Sequence, residues 1–463
     1  MIVLQPRPAA EEQRHLAETA CAEAARRGER LLLAHSRSGE APLDALKLYR
    51  RAVRAGLDAV YWEQPSRGVV LVAVGAAAQV ELRGERRFPD AAAAWRALAD
   101  GAVANRKDEL LALAGFAFGA QSERATHWSA FGDGALVVPE LLYRCEGDRA
   151  SVTHAVIVRP GQLTDDVTFG LASLLDESAD DRTRSQETVV AGMRNTVTAD
   201  AWGGAVAALT SAIAGGGVEK VVLAREVALH AHDAIDETAA LARLREGYPD
   251  CTVFAVRRGG ACFLGATPER LVRVEGRTVR ATCLAGSARR GADPQDDEAA
   301  GAALLADAKE RREHQLVVGM IAEALTPLCR EIDIPAEPGL MRMPNVQHLY
   351  TPVEGTLSGD VGVLELAERL HPTPAVGGMP RDEALRLIHQ HEPFDRGWYA
   401  GPVGWVDAHG DGEFAVALRS GLIEGREARL FAGCGIVAGS DPQREYEEST
   451  MKLRPMLWAL NQA

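Results

Sequence analysis

Three short apolar runs follow one another almost without a break between Cys262 and Arg290, reading CFLGATPERLVRVEGRTVRATCLAGSARR. Runs this short, bounded by turn residues, read as β-strands over 261–266, 270–275 and 278–284, so the chain must build a sheet here. They close in the small residues Ala285-Gly286-Ser287. At the first turn, Ala266-Thr267-Pro268-Glu269, a carboxylate stands at the mouth of the sheet just after a proline, among apolar neighbours. That setting suits a carboxylic acid with a raised pKa. Taken alone, Glu269 reads more simply as a solvated turn residue. A lysine and further acids in equally odd settings bring the functional reading forward.

The chain has 463 residues, 47% of them hydrophobic, which exceeds one ordinary core and predicts two domains or one large composite α/β unit. A net charge of −14 argues against nucleic acid or an anionic membrane as partner, because a polyanion needs a basic face. An acidic protein that takes an anionic small molecule needs a local cationic site or a metal ion. Seven cysteines form no Cys-x-x-Cys pair and are odd in number, as expected of reduced thiols in a cytosol. No basic-then-apolar leader opens the sequence and no apolar run reaches membrane-spanning length. A soluble cytoplasmic protein is expected.

Residues 1–185 form a strand-rich half. A helix is expected over 8–28, strands at 31–34, 59–62, 69–74, 111–118, 136–138, 141–145 and 151–158, and a helix over 92–106. Its histidines, at 15, 35, 127 and 154, show no ligand spacing and are read as structural. A polar connection, 175–200, leads to the second half, 190–463.

There, a helix over 203–214 ends in Gly215-Gly216-Gly217. A glycine run after a helix terminates it and is not a phosphate loop, which would open one. In the strand that follows, 220–229, alternation puts Lys220, Val222, Ala224 and Ala228 on one face. Lys220 thus heads a face of small apolar side chains. It either snorkels to solvent, the ordinary case, or is desolvated and available as a general base.

Two helices carry acids. Over 307–328, apolar residues at 316, 317, 320, 321, 324 and 325 make a stripe that includes Glu313. A second helix starts at Ser440-Asp441-Pro442 and sets Glu445, Glu448 and Lys452 on one face. Surface salt bridging explains the latter simply. Carboxylates brought together from two helices would instead suit Mg2+, because the donors are hard oxygens and no Cys/His set is present. Between the helices lie a strand at 345–351, a rigid Pro/Gly loop at 371–380, a helix at 381–390, and a loop at 392–401 leading into strand 402–407. Two hairpins follow, with Arg419 on 414–423 and Gly433 and Gly435 on 428–437. Such glycines let backbone approach a ligand, and Arg419 can fork onto a carboxylate. His389 and His391 lack metal spacing and are left to the surface.

From about residue 190 onward the sequence resembles the chorismate-utilising enzymes. The resemblance rests on KVVLAR (220–225), GATPE (265–269), LAGS (284–287), EH (313–314), QHL (347–349), HPTPAVGG (371–378), DRGWYAGPVGW (395–405), AGCGIV (432–437) and the closing Glu448-x-x-x-Lys452, all in family order. It implies a single large α/β (α+β) unit of two packed, mainly antiparallel sheets with helices outside.

Members that use ammonia carry glutamine where Lys220 stands. The aminodeoxychorismate type carries a nucleophilic lysine where Ala285 stands. The pair found here resembles the water-using branch, isochorismate and salicylate synthases, and the forms of the Pro/Gly and DRGWYAG motifs resemble the former. The resemblance then implies Lys220 as base and Glu269 as acid. Mg2+ would sit on Glu313 and Glu448 with Glu445 nearby. Gly286, Ser287, His348, Val376, Tyr399, Arg419, Gly433, Gly435 and Lys452 would bind chorismate. A monomer without a glutaminase subunit is expected.

Overall fold

The computed structural model describes residues 6–39, 43–121, 124–176, 188–344 and 346–461. Asn345, which opens the expected strand 345–351, and much of the expected polar connection lie outside them.

Two mainly antiparallel sheets carry the chain, and both take strands from each half of the sequence. Among the described residues the larger has 13 strands. It runs from Val190–Asn195 at one edge through Lys220–Ala231, Glu427–Ile436, Ser420–Glu424, Ala261–Thr267 and Thr252–Arg258. It continues through Ala59–Gln64, Val69–Val74, Leu141–Glu146 and Arg149–Val158 to Leu31–Gly39 and the short Val103–Ala104. The smaller has 10 strands among the described residues, with Val346–Leu357, Thr278–Arg289, Arg270–Glu275, Gly412–Val416, Pro402–Asp407 and Leu111–Phe116 at its centre. One core lies between the sheets, joining Trp62, Phe254 and Phe263 of the larger to Phe116 and Phe414 of the smaller. A second core packs helices Ala45–Arg54, Glu237–Gly247 and Pro442–Ala459 against the larger sheet's other face. Each large side chain so buried contributes about 1.5–3 kcal/mol.

The expected helix at 92–106 is instead Arg87–Gly101. Pro89 falls in its first turn, where a missing N–H costs nothing, and Phe88, Ala91, Trp95 and Ala99 face the core. The hairpin expected at 414–423 does not form. Gly412–Val416 belongs to the smaller sheet and Ser420–Glu424 to the larger, so the chain crosses between sheets and Arg419 sits in the crossing. The three strands at 261–289 divide in the same way. Ala261–Thr267 lies in the larger sheet, the next two lie in the smaller, and Glu269 sits in that crossing.

Candidate active site

These two crossings run side by side and make one wall of the site. Ala266 N–H donates to the Arg419 carbonyl at 3.3 Å and Val416 N–H to that of Glu269 at 3.0 Å. The Thr267 hydroxyl donates to the Val416 carbonyl at 2.6 Å. Arg419 adopts a left-handed backbone, φ 50°, that a long side chain takes only when its surroundings hold it there. Glu269 is 4% exposed, and burial pushes its carboxyl up to about 7 even though Lys220, Arg419 and Lys452 pull the other way.

Strand Lys220–Ala231 brings Lys220 to Glu313, behind the cavity lining. Its ammonium, fully buried, stands 2.7 Å from Glu313 Oε1, an ion pair without hydrogen-bonding direction. The neighbouring strand sets Gly435 beside Val222 and Gly433 beside Ala224. A Cβ on Gly435 would fall 2.5 Å from Glu313 Oε1 and 2.7 Å from Lys220 Cε, so only glycine leaves room for the pair. Lys452 Nζ reaches the Gly433 carbonyl at 3.1 Å and Glu448 Oε1 at 2.6 Å.

The acids come from helices Ala308–Leu325 and Pro442–Ala459, each started by an aspartate whose side chain caps the first turn. On the first helix the buried stripe is His314, Val317, Ile321 and Leu325. Glu313, four residues before Val317, shares this face and is 12% exposed. Glu310, one turn earlier, escaped the sequence reading although its i, i+3 spacing to Glu313 was the available signal. Burial and repulsion from Glu313 push its carboxyl up to about 7, with Glu448 adding to the effect, and it accepts the Ser287 N–H at 3.0 Å. Glu445 is raised by burial and by Glu448, and Lys309 approaches it at 3.4 Å.

Among the described residues no three His, Cys, Asp or Glu side chains converge closely enough to form a ready metal cluster. Glu313, Glu445 and Glu448 each hold a lysine instead. In kind the donors fit a hard divalent cation, since all are carboxylate oxygens and they repel one another where they stand.

A neutral histidine links the binding groups. Burial, with Arg419 and Lys452 nearby, holds His348 well below the usual histidine range. Arg419 can only donate, so His348 Nε2, 3.4 Å from Arg419 Nη2, is the acceptor and Nδ1 carries the hydrogen. Nδ1–H then donates to Ser287 Oγ at 2.9 Å or the Gly286 carbonyl at 3.3 Å. With its oxygen so engaged, the Ser287 hydroxyl keeps its own hydrogen to donate.

Arg396 fixes the Pro/Gly loop. It donates to the Val376 carbonyl at 2.9 Å and the Val222 carbonyl at 2.8 Å, and it is held by Glu392. The sequence reading gave Arg396 no role. Tyr399 stacks on Phe431 with ring centroids 5.3 Å apart, and burial pushes its phenol up to about 12.

The resulting cavity is lined by Glu269, Gly286, Ser287, Glu313, His348, Val376, Tyr399, Arg419, Gly433, Gly435, Glu448 and Lys452. Of the expected site residues, Lys220 and Glu445 lie behind this lining. Glu310, Leu284, Ala375 and Leu418 also line it. The arrangement offers cations for an anionic ligand, two acids, Glu269 and Glu310, whose carboxyls are raised to about 7, and one fully buried lysine, Lys220.

A family described as "Chorismate binding enzyme" matches residues 19–461. The chain is 40% identical, over 91% of its length and 88% of the relative's, to the salicylate biosynthesis isochorismate synthase of Pseudomonas aeruginosa. It is 37% identical to the isochorismate synthase MenF of Bacillus subtilis, over 93% of each. Among solved structures, MenF of Escherichia coli, described as the menaquinone-specific isochorismate synthase, superposes with a TM-score of 0.78. Identity there is 27%, over 96% of this chain and all of that one. With one continuous match from residue 19 to 461 and relatives alike over nearly their whole length, the chain belongs to the chorismate-binding enzyme family.

Proposed function

We propose that this protein is an isochorismate synthase, isomerising chorismate to isochorismate by addition of water at C2 and loss of the C4 hydroxyl. The observation that carries the reading is Glu269, buried at a sheet crossing with its carboxyl near 7, facing a cavity rich in cations. A general acid is most effective when its pKa lies near the working pH. Lys220 serves as the base, taking a proton from water as the oxygen bonds to C2. The ring double bonds shift, and Glu269 gives its proton to the C4 hydroxyl, which leaves as water. Atoms balance, since one water enters and one departs. The names of the relatives, and Lys220 together with Ala285 at the two positions where the family's branches differ, support the same reading.

Arg419, Lys452 and the Ser287 hydroxyl hold the substrate's anionic and hydroxyl groups, with Gly433 and Gly435 admitting it close to backbone. Glu313 and Glu448, with Glu445 and Glu310 beside them, would hold Mg2+. When bound, the ion supplies positive charge that neutralises a substrate carboxylate. Residues 190–463 carry the chemistry and residues 1–185 serve structurally. The protein acts in the cytoplasm as a monomer without a glutaminase subunit, its product feeding menaquinone or siderophore synthesis. Among the described residues no helix is long and apolar enough to cross a membrane.

Val376 and Tyr399, both nearly fully buried and fixed by Arg396 and Phe431, hold the enolpyruvyl side chain extended, so it does not fold back over C2 and pyruvate is retained. A lactate-dehydrogenase-coupled assay tests this. Isochorismate with little pyruvate is expected from purified protein, chorismate and Mg2+. Stoichiometric pyruvate without an added isochorismatase would make it a salicylate synthase instead.

A further inference from the structure

Four successive residues, Leu284, Ala285, Gly286 and Ser287, line the candidate active site. A regular strand cannot do this, because its side chains alternate between two faces. Strand Thr278–Arg289 does it by a bulge. Ala285 pairs with Leu349 and Ser287 with His348, so Gly286 is an extra residue with nothing opposite it, and its φ of 78° lies in the left-handed region that glycine takes in such a bulge. The ladder is interrupted there, so the bulge has to be held from outside the strand.

Helix Ala308–Leu325 holds it at two points one turn apart. Glu310 accepts the Ser287 N–H at 3.0 Å. His314, four residues on and so on the same side of the helix, brings Nδ1 to 3.2 Å from the Ala285 carbonyl. A carbonyl can only accept, so Nδ1 carries the ring hydrogen, and Nε2 accepts from the Thr351 hydroxyl at 2.7 Å. Cys283 Sγ, 3.6 Å from Nδ1, donates its own hydrogen to the His314 carbonyl at 3.7 Å. His314, Thr351 and Cys283 are all buried, so water cannot replace these partners. His314 itself is not part of the cavity lining.

We propose that His314 is a positioning residue, whose Nδ1–H grips the Ala285 carbonyl and fixes the bulge that presents Gly286 and Ser287 to the substrate. The identity of that substrate rests on the isochorismate synthase reading. The neighbouring Glu313 rides on the same turn of helix, so one element sets the binding strand and a candidate metal carboxylate relative to each other.

Asparagine and glutamine separate this role from packing. An asparagine amide falls close to the place of Nδ1 and keeps a donor for Ala285, whereas glutamine reaches the place of Nε2 and keeps only the contact with Thr351. His314→Gln should raise the KM for chorismate about tenfold or more with kcat within about threefold, because Gly286 and Ser287 bind the substrate and do not react with it. His314→Asn should leave both constants within about threefold of the wild type. Were filling the space all that mattered, glutamine, the larger of the two, would be the milder change. That order, or an unchanged KM in His314→Gln, would overturn the proposal. Nitrogen-15 spectra of the wild type with labelled histidines, the His314 ring being identified by its loss in the variants, read the tautomer without turnover and so judge His314 separately from the proposed activity. A ring protonated at Nδ1 is expected, and one protonated at Nε2 would overturn the proposal.

Discussion

Lys220 Nζ and Glu313 Oε1 are 2.7 Å apart, with the lysine fully buried and the glutamate nearly so. The contact ties the candidate base to a candidate metal carboxylate. While Glu313 holds Lys220, it cannot give itself wholly to a cation. Two effects follow from Lys220→Ala. Turnover falls by about 10²–10⁴, the usual worth of an acid–base group. Mg2+ measured by calorimetry binds more tightly than to the wild type, because a competing charge has gone. Weaker Mg2+ binding in the variant would show that Glu313 is not a metal carboxylate.

The same pair makes stability asymmetric. Removing one member strands a buried charge, at a cost of about 3–5 kcal/mol. Lys220→Ala should therefore lower the midpoint of urea unfolding, and adding Glu313→Gln should recover most of the loss. Equal midpoints in single and double variants would contradict the pairing.

Glu269 predicts how stability depends on pH. Its carboxyl is raised from 4.5 to about 7 in the folded protein, so between these values the folded state keeps a proton that the unfolded state releases. Its contribution is fully present below pH 4.5 and lost as pH rises through 7, a change of about 3 kcal/mol. Glu310, also near 7, acts in the same direction. Glu269→Gln should thus show a smaller loss of stability from pH 5 to pH 8 than the wild type. Parallel curves would place the Glu269 carboxyl in its ordinary range.

Gly435→Ala should reduce turnover by at least about 10²-fold, as expected when reacting groups are displaced by an ångström. The added methyl meets Glu313 and Lys220 at 2.5–2.7 Å. Gly319→Ala is the control. It lies in a helix with nothing near its Cβ and should gain about 0.5–1 kcal/mol without change in rate. Wild-type turnover in Gly435→Ala would show that the space beside the pair is not needed.

Much of the site was legible because it is written in short range. The strand headed by Lys220, the turn at Glu269 and the helix face of Glu445, Glu448 and Lys452 are local patterns, and the structure keeps each of them. Sheet membership is not local. Both sheet crossings looked like hairpin turns, because nothing in 267–269 or 417–419 says that the next strand pairs in another sheet. Arg396 was passed over for the same reason, since its partners Val222 and Val376 lie 174 and 20 residues away. Helices Ala45–Arg54, Glu237–Gly247 and Pro294–Ala306 also went unread, although Asp44, Asp236 and Asp293 cap them.

The central claim is that water attacks chorismate with Lys220 and Glu269 as base and acid. It is tested most directly by turning over chorismate with Mg2+ in water enriched in oxygen-18 and analysing the product by mass spectrometry. The account predicts isochorismate carrying one labelled oxygen at C2, formed by the wild type and nearly absent with Lys220→Ala or Glu269→Gln. Unlabelled isochorismate, or labelled product formed at wild-type rate by either variant, would contradict it.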